Sequence, residues 1–256
     1  MTVTIERKGH VGVVTLNRPE TKNAITQEMR QQLWEGFEDF AMDADVRCVV
    51  LTGADGNFCS GVDVGALGGG GVPGSMSRMH TLHRIARAIH NLKKPTIAAI
   101  PGVCVGAGWG FALCCDMIIA DENAKFAQIF RNIALAPDAG SVWSLTKLVG
   151  PMRAKELCYS GRLVKSAEAL EMGLVMEVTK PEDLQARALE MAESLASGPS
   201  IAYALAKRQF DFAGNSSFDQ FLDAEYAMQP VASRTEDHEE GIAAFRERRP
   251  PNFKGV

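Results

Sequence analysis

Apolar positions along the first half of the chain repeat with two periods, one suited to strands and one to helices. Val3 to Ile5 and Val11 to Leu16 predict two short strands around the Lys8-Gly9 turn signal, an N-terminal hairpin. From Thr26 to Ala41, the residues Met29, Leu33, Phe37, Phe40 and Ala41 recur at helical spacing. Glu28, Arg30, Gln31 and Glu38 fall off that stripe, so an amphipathic helix is expected here. Cys48 to Leu51 is a continuous apolar run of the kind buried parallel strands use, and it ends at Thr52-Gly53. Asp55-Gly56-Asn57 marks a turn. The glycine-dense loop after Asp63, with Gly68 to Gly71, is expected to pack little and to be mobile.

Met79, Leu82, Ile85, Ala86 and Ile89 restore a helical period, which should stop before Lys94-Pro95. Thr96 to Ile100 predicts a buried strand. Gly106-Ala107-Gly108 then opens an apolar helix reaching about Cys115, with a strand over Met117 to Ala120. Strands alternating with helices through right-handed crossovers imply an α/β fold. Beyond Pro151 helices dominate: Arg153 to Tyr159, Ser166 to Met172, Glu182 to Ala196, Ile201 to Phe212, Phe218 to Met228 and Asp237 to Arg246, interrupted by a strand over Leu174 to Val178. Ser197-Gly198-Pro199-Ser200 is the best linker. It divides the chain into a core, residues 1–196, and a helical appendage, residues 197–256, whose amphipathic face suits docking on a subunit partner.

Composition narrows the function. With 256 residues, 46% of them apolar and 23% charged, the chain can bury one large core and is not disordered. A formal net charge of −4 argues against nucleic acid as the partner, since neutralising phosphates needs a basic surface. The first ten residues lack the features of a signal peptide, and no apolar run approaches the ~18 residues of a membrane span. Six cysteines without paired spacing suggest neither a zinc site nor a disulfide framework, which fits a reduced, cytoplasmic protein.

Two glycine-containing turns carry the candidate chemistry. Phe58-Cys59-Ser60-Gly61-Val62-Asp63 and Gly102-Val103-Cys104-Val105-Gly106-Ala107-Gly108 each follow a buried strand. A helix start leaves N–H groups unpaired and partly positive, so two such turns can hold one oxyanion. The bland reading is two tight strand-to-helix turns. Gly106 to Phe111 is not a dinucleotide fingerprint, because Phe111 occupies the place of the third glycine. His80, His83 and His90 share one helix, but no carboxylate or cysteine accompanies them at ligand spacing, and surface or capping roles suit them better than a metal. Cys114-Cys115 read as core.

Ser60 to Asp63, Gly102 to Ala120, Gly161 to Val178, and Asn17-Arg18-Pro19 with Asn23-Ala24 together resemble the crotonase superfamily of acyl-CoA enzymes. The resemblance implies a ββα spiral core with a C-terminal helical subdomain, assembled as trimers or dimers of trimers. It implies that the backbone N–H groups of Val62 and Ala107 bind a thioester oxygen. By the same resemblance Lys22, Ala24, Ser60, Gly61, Asp63, Gly106, Gly110 and Phe130 are the expected contacts to the acyl group and to the coenzyme A, which arrives as part of the substrate with no further cofactor. Hydratases of this family use two glutamates, and their positions hold Gly110 and Phe130. Asp138, in Pro137-Asp138-Ala139-Gly140 among apolar neighbours, resembles the acid/base aspartate of the PaaG-like branch, ring-epoxide and enoyl-CoA isomerases. Such surroundings make a carboxylate a stronger base. An N-cap for a helix starting near Ser141 is the competing role. Double-bond isomerisation is the expected activity. Hydratase-like chemistry, hydrolysis or dehalogenation with Asp138 as nucleophile, and a silent acyl-CoA-binding relative stay open.

Overall fold

Val3–Lys8 (β1) and Val11–Leu16 (β2) form the antiparallel hairpin, turning through Gly9 and His10 because Lys8 itself pairs with Val11. The computed structural model describes residues 1–67 and 70–256, so Gly68 and Gly69 of the glycine-dense loop lie outside the described residues. Thr26 caps Gln27–Met42 (α1), its hydroxyl accepting from the Met29 N–H at 3.1 Å. Cys48–Gly53 (β3) follows. The next helix, Gly71–His90 (α2), starts eight residues before the apolar period does, so part of the expected loop is helix.

Thr96–Ile100 (β4) leads to a three-residue strand, Val103–Val105 (β5), and then to Ala107–Ala112 (α3). That helix ends earlier than expected because the N–H groups of Cys114 and Cys115 bond Phe111 and Ala112, tightening the last turn. Met117–Asp121 (β6), Lys125–Ala127 (β7) and Ser141–Ser160 (α4) come next. The first half of α4 escaped the apolar pattern because its buried face holds Ser141 and Ser144 beside Leu145, and Gly150 (φ 77°, ψ 163°) with Pro151 breaks the helix.

Val164–Lys165 (β8), Ser166–Glu171 (α5), Glu177–Thr179 (β9) and Leu184–Ala196 (α6) complete the core elements. The strand expected over Leu174 to Val178 pairs only from Glu177 onward, and Leu174 and Val175 are buried loop residues. Ser200–Ala213 (α7), Phe218–Ala232 (α8) and Glu236–Glu247 (α9) end the chain.

One sheet runs β1-β2-β3-β4-β6-β9, parallel from β2 onward. Its alternating side chains feed two cores. Val14, Val49, Leu51, Ala98 and Ile100 pack toward α1, α2 and α3, while Val13, Val50, Ile97, Ala99 and Ile119 meet Leu184, Ala188, Ala192 and Ala196 of α6. A second sheet, β5-β7-β8, is extended by bridges from Cys59 to Cys104 and from Ile25 to Val62. Long strand, short second-sheet segment and helix thus repeat three times, through β3, β4 and β6. The ends of the three short segments lie in successive repeats, and these are the stretches with the candidate chemistry.

Arg30 departs from its expected place. It lies on the buried side of α1 at 6% exposure. The C-terminal tail is tied back to the core by Arg47, which donates to the Ser200 hydroxyl (3.0 Å) and to the carbonyls of Gly198 (2.6 Å) and Phe253 (3.1 Å).

Candidate active site

The two turns are held edge to edge by second-sheet bonds. The Cys59 N–H donates to the Val103 carbonyl (2.8 Å), and the Val105 N–H to the Cys59 carbonyl (2.9 Å). One step on, the Ile25 N–H donates to Gly61 (2.8 Å) and the Asp63 N–H to Ile25 (3.1 Å). In extended chain, successive N–H groups face opposite ways, so that of Val62 points away from Ile25. Ala107 opens α3, where a helix leaves its first N–H groups unused. Among the described residues, neither amide has an acceptor. The turns are also close: a Cβ built on Gly106 would stand 3.8 Å from the Gly61 Cα. Gly106 itself has φ 57° and ψ −130°, a conformation essentially reserved for glycine.

The loop carrying Lys22 and Ala24 is stitched to the same turn. Ser60 donates its N–H to the Lys22 carbonyl (2.9 Å) and its hydroxyl to Thr21 (2.7 Å). Arg18 pairs with Asp63 and also donates to the Ala24 carbonyl (3.2 Å), and its guanidinium holds the Asp63 carboxyl below the usual range. Lys22 and Asn23 both take left-handed φ values, 53° and 58°. The strain is met by Asn23, fully buried, whose amide donates to Ala54 (3.1 Å) and Asn57 (2.6 Å) while its oxygen accepts from the Arg18 N–H (2.8 Å). Lys22, Ala24, Ser60, Gly61, Val62, Asp63, Gly106 and Ala107 therefore form one contiguous region.

Asp138 reaches this region through Gly110. A Cβ on Gly110 would lie 2.6 Å from the Ala139 Cβ and 3.3 Å from the Asp138 carbonyl, so the 137–140 turn occupies the space a side chain at 110 would need. Phe130 places its ring edge 3.9 Å from a Cβ built on Gly106. The N-cap of α4 is Gly140, and no side chain caps it. Asp138 instead offers its carbonyl to the Ser141 N–H (3.0 Å) and hydroxyl (2.7 Å). Its Oδ1 is shielded from solvent without a partner. Burial pushes the carboxyl up to about 6, against a smaller lowering by the positive charge of Arg78. A capping carboxylate would be bonded and acidic. This one is neither.

The sequence pattern of the family described as Enoyl-CoA hydratase/isomerase matches residues 6–256. The chain belongs to that family. It is 36% identical over 249 residues to the 1,2-epoxyphenylacetyl-CoA isomerase of Escherichia coli (strain K12), covering 96% of this chain and 95% of that protein. It is 31% identical over 257 residues to the short-chain-enoyl-CoA hydratase of Clostridium acetobutylicum, covering 96% and 95%. The solved enoyl-CoA hydratase of Bacillus anthracis superposes with a TM-score of 0.96 at 32% identity over the full length of both chains. The crotonase fold expected from the motifs is the fold present, and this family member is an acyl-CoA enzyme.

Several residues noted in the sequence stand outside the site of this enoyl-CoA hydratase/isomerase family member. Trp109, inside the Gly106 to Phe111 stretch, is fully buried against Phe126, so it belongs to the core. His80 is exposed, and His90 pairs with Asp211 (3.3 Å) and meets the Trp143 ring edge-on. Among the described residues no cluster of metal-ligating side chains occurs, and no helix is long and apolar enough to cross a membrane. His83 and Trp143 do line an open cavity of about 660 Å³ that includes Asp138, Met79 and Lys147. Arg78 and the bracing Asn23 were missed as contributors. The signal for Asn23 was available, since a buried asparagine in a left-handed turn is a recognisable brace. Arg78 had none, because only the packing of α2 brings it near Asp138.

Proposed function

We propose that this protein shifts the double bond of an unsaturated acyl-CoA, with Asp138 carrying the proton and the N–H groups of Val62 and Ala107 holding the thioester oxygen. One observation carries the reading. The polar group best suited to proton transfer is a shielded, unpartnered carboxylate poised near 6, while the two positions where hydratases carry glutamates hold Gly110 and Phe130. At neutral pH Asp138 is mostly ionised and more basic than a solvated carboxylate. It takes a proton from the carbon beside the thioester carbonyl, leaving an enolate whose negative oxygen lies between the two amides. The protonated Asp138, exchanging with solvent in part of the turnovers, delivers a proton to the far end of the allylic system, and the double bond moves by one position. Each amide donor aimed at the developing oxyanion contributes about 3 kcal/mol to the transition state.

Lys22, exposed on the loop stitched to Ser60, supplies positive charge for the coenzyme A phosphates in this reading. Assembly as a trimer or a pair of trimers in the cytoplasm is part of the same reading. It is supported by α7 and α8, neither of which buries a residue, and by exposed Phe210, Phe218, Tyr226 and Phe245.

Deuterium uptake from solvent by a 3-enoyl-CoA tests the proposal. The wild-type protein should exchange the carbon-bound proton and form the 2-enoyl-CoA, and Asp138→Asn should lose both activities by a hundredfold or more, the scale of a lost acid/base group. Exchange that persists in the substituted protein overturns the role of Asp138. A hydratase reading is favoured by the name of the Clostridium relative. It would be selected by 3-hydroxyacyl-CoA appearing faster than the shifted double bond.

A further inference from the structure

On one side the cavity that contains Asp138 stops at a single side chain. This cavity of about 660 Å³ runs between α2, the start of α4 and the turn joining α7 to α8, which contribute Met79 and His83, Trp143 and Lys147, and Asn215. A second cavity, of about 340 Å³, is lined by the same three elements, through His90 of α2, Ser144 and Leu148 of α4, and Gly214 of the turn. Trp143 and Lys147 line both. The second cavity therefore continues the first, with the indole of Trp143 at the boundary.

Trp143 is 46% exposed, so burial alone does not hold it. Two directional contacts fix the ring instead. His90 meets it edge-on, with ring centroids 5.2 Å apart, and is itself paired with Asp211 (3.3 Å). The Lys147 ammonium stands 4.0 Å over the indole and is anchored by the Gly214 carbonyl (3.5 Å) and by Asn215 Oδ1 (3.4 Å). Beyond the indole the walls are apolar: Leu113, Ile118, Leu174 and Val175 are buried, and Leu148 and Phe210 lie nearer solvent. The carboxylates that line this second cavity are already paired, Asp116 with Lys207 (2.9 Å) and Asp211 with His90. Such walls take up hydrocarbon rather than an anion.

We propose that Trp143 ends the acyl pocket and so sets the length of chain this protein holds. The inference rests on the acyl-CoA reading of the Asp138 cavity and adds a specificity-determining residue to it. An acyl chain passing Asp138 toward the second cavity meets the indole first. Each methylene buried before that point strengthens binding about fourfold, and carbons beyond it turn to solvent and add little. Removing the indole joins the two cavities and gives those carbons apolar walls.

Titration with saturated acyl-CoAs from butanoyl to dodecanoyl reads the pocket without any chemistry. For the wild-type protein, affinity should climb about fourfold per carbon and then level off within the series. In Trp143→Ala the climb should continue for roughly two further carbons, a gain of about fifteenfold at the longest chains. Trp143→Phe should level off close to wild type, and Leu148→Trp added to Trp143→Ala should take the gain back by filling the second cavity. A wild-type affinity that climbs through dodecanoyl overturns the proposal. So does a break that Trp143→Ala leaves at the same length, even with every chain weakened alike, which is the mark of a structural role only. Should Trp143→Ala fail to fold, His90→Ala and Lys147→Ala carry the test by freeing the ring in place: the break should move to longer chains in both, and a break unmoved in both overturns the proposal. Turnover of the matching 3-enoyl-CoAs separates this inference from the reading beneath it. A break that shifts as stated, without turnover at any length, keeps Trp143 as the wall and removes the isomerase. Turnover with an unmoved break does the reverse, and failure to bind any acyl-CoA removes both.

Discussion

Asp138→Asn should make the protein more stable at neutral pH while removing the proton transfer proposed for this carboxylate. The ordinary aspartate value is 3.8, and burial raises that of Asp138 to about 6 in the folded chain. Below pH 4 both folded and unfolded states hold the proton, so the buried group costs nothing extra. As pH rises from about 4 to 6 the unfolded chain releases its proton first, and the folded state loses stability relative to it. Above pH 6 the loss is complete. A difference of about 2 pH units at 1.36 kcal/mol each comes to about 3 kcal/mol. The asparagine side chain has nearly the same shape and no charge, so it escapes this cost. Urea unfolding of both proteins at equal concentration, from pH 3.5 to 8, measures the effect. The variant's advantage should be absent at the acid end, develop between about pH 4 and 6, and level off at about 2–3 kcal/mol. A variant that is less stable than wild type at pH 7, or an advantage that does not change with pH, would show that Asp138 makes stabilising bonds and is not a strained base.

Gly110→Ala brings a Cβ within 2.6 Å of Ala139, so the turn carrying Asp138 must shift. The expected cost is about 1–3 kcal/mol in urea unfolding, with a lower rate of deuterium uptake. Arg47→Met removes three bonds to residues 198, 200 and 253, costing about 3 kcal/mol. Hydrogen exchange should then speed up in residues 197–256 more than in β3 and β4. All six cysteines are free, and burial pushes the thiols of Cys48, Cys59 and Cys114 up to about 12. A thiol reagent at pH 8 should therefore label them only on the timescale of unfolding, and all six once denaturant is present.

Much of the fold was legible in one dimension because the signals are local. The runs over Cys48 to Leu51, Thr96 to Ile100 and Met117 to Ala120 are strands because a sheet covered on both faces needs apolar residues at every position. Thr26 caps α1 from its own place in the sequence. Elements of two or three residues, such as β5, β7 and β8, are too short to show a period and exist through their partners. The first half of α4 was hidden for another reason, since serines occupy its buried face. The glycine stretch misled in a similar way: Gly71 begins α2, although glycine is a poor helix former, because the inward residues further along hold the helix against α1.

At the site, the chain order alone marked the candidate residues: the two glycine turns, the aspartate after Pro137, and the absence of an acid at 110 and 130. Only the tertiary structure decided whether the Asp138 carboxylate caps a helix or stands unpaired, and that the Ala139 side chain and the 138–139 carbonyls fill the space a side chain at 110 would need. Arg30 is the same lesson with opposite sign, an apparent surface cation that packing buries beside Arg78. The physical reason is common to these cases. Hydrophobic periods record how a segment meets the average core, whereas desolvation and unpaired charge depend on which segments meet one another.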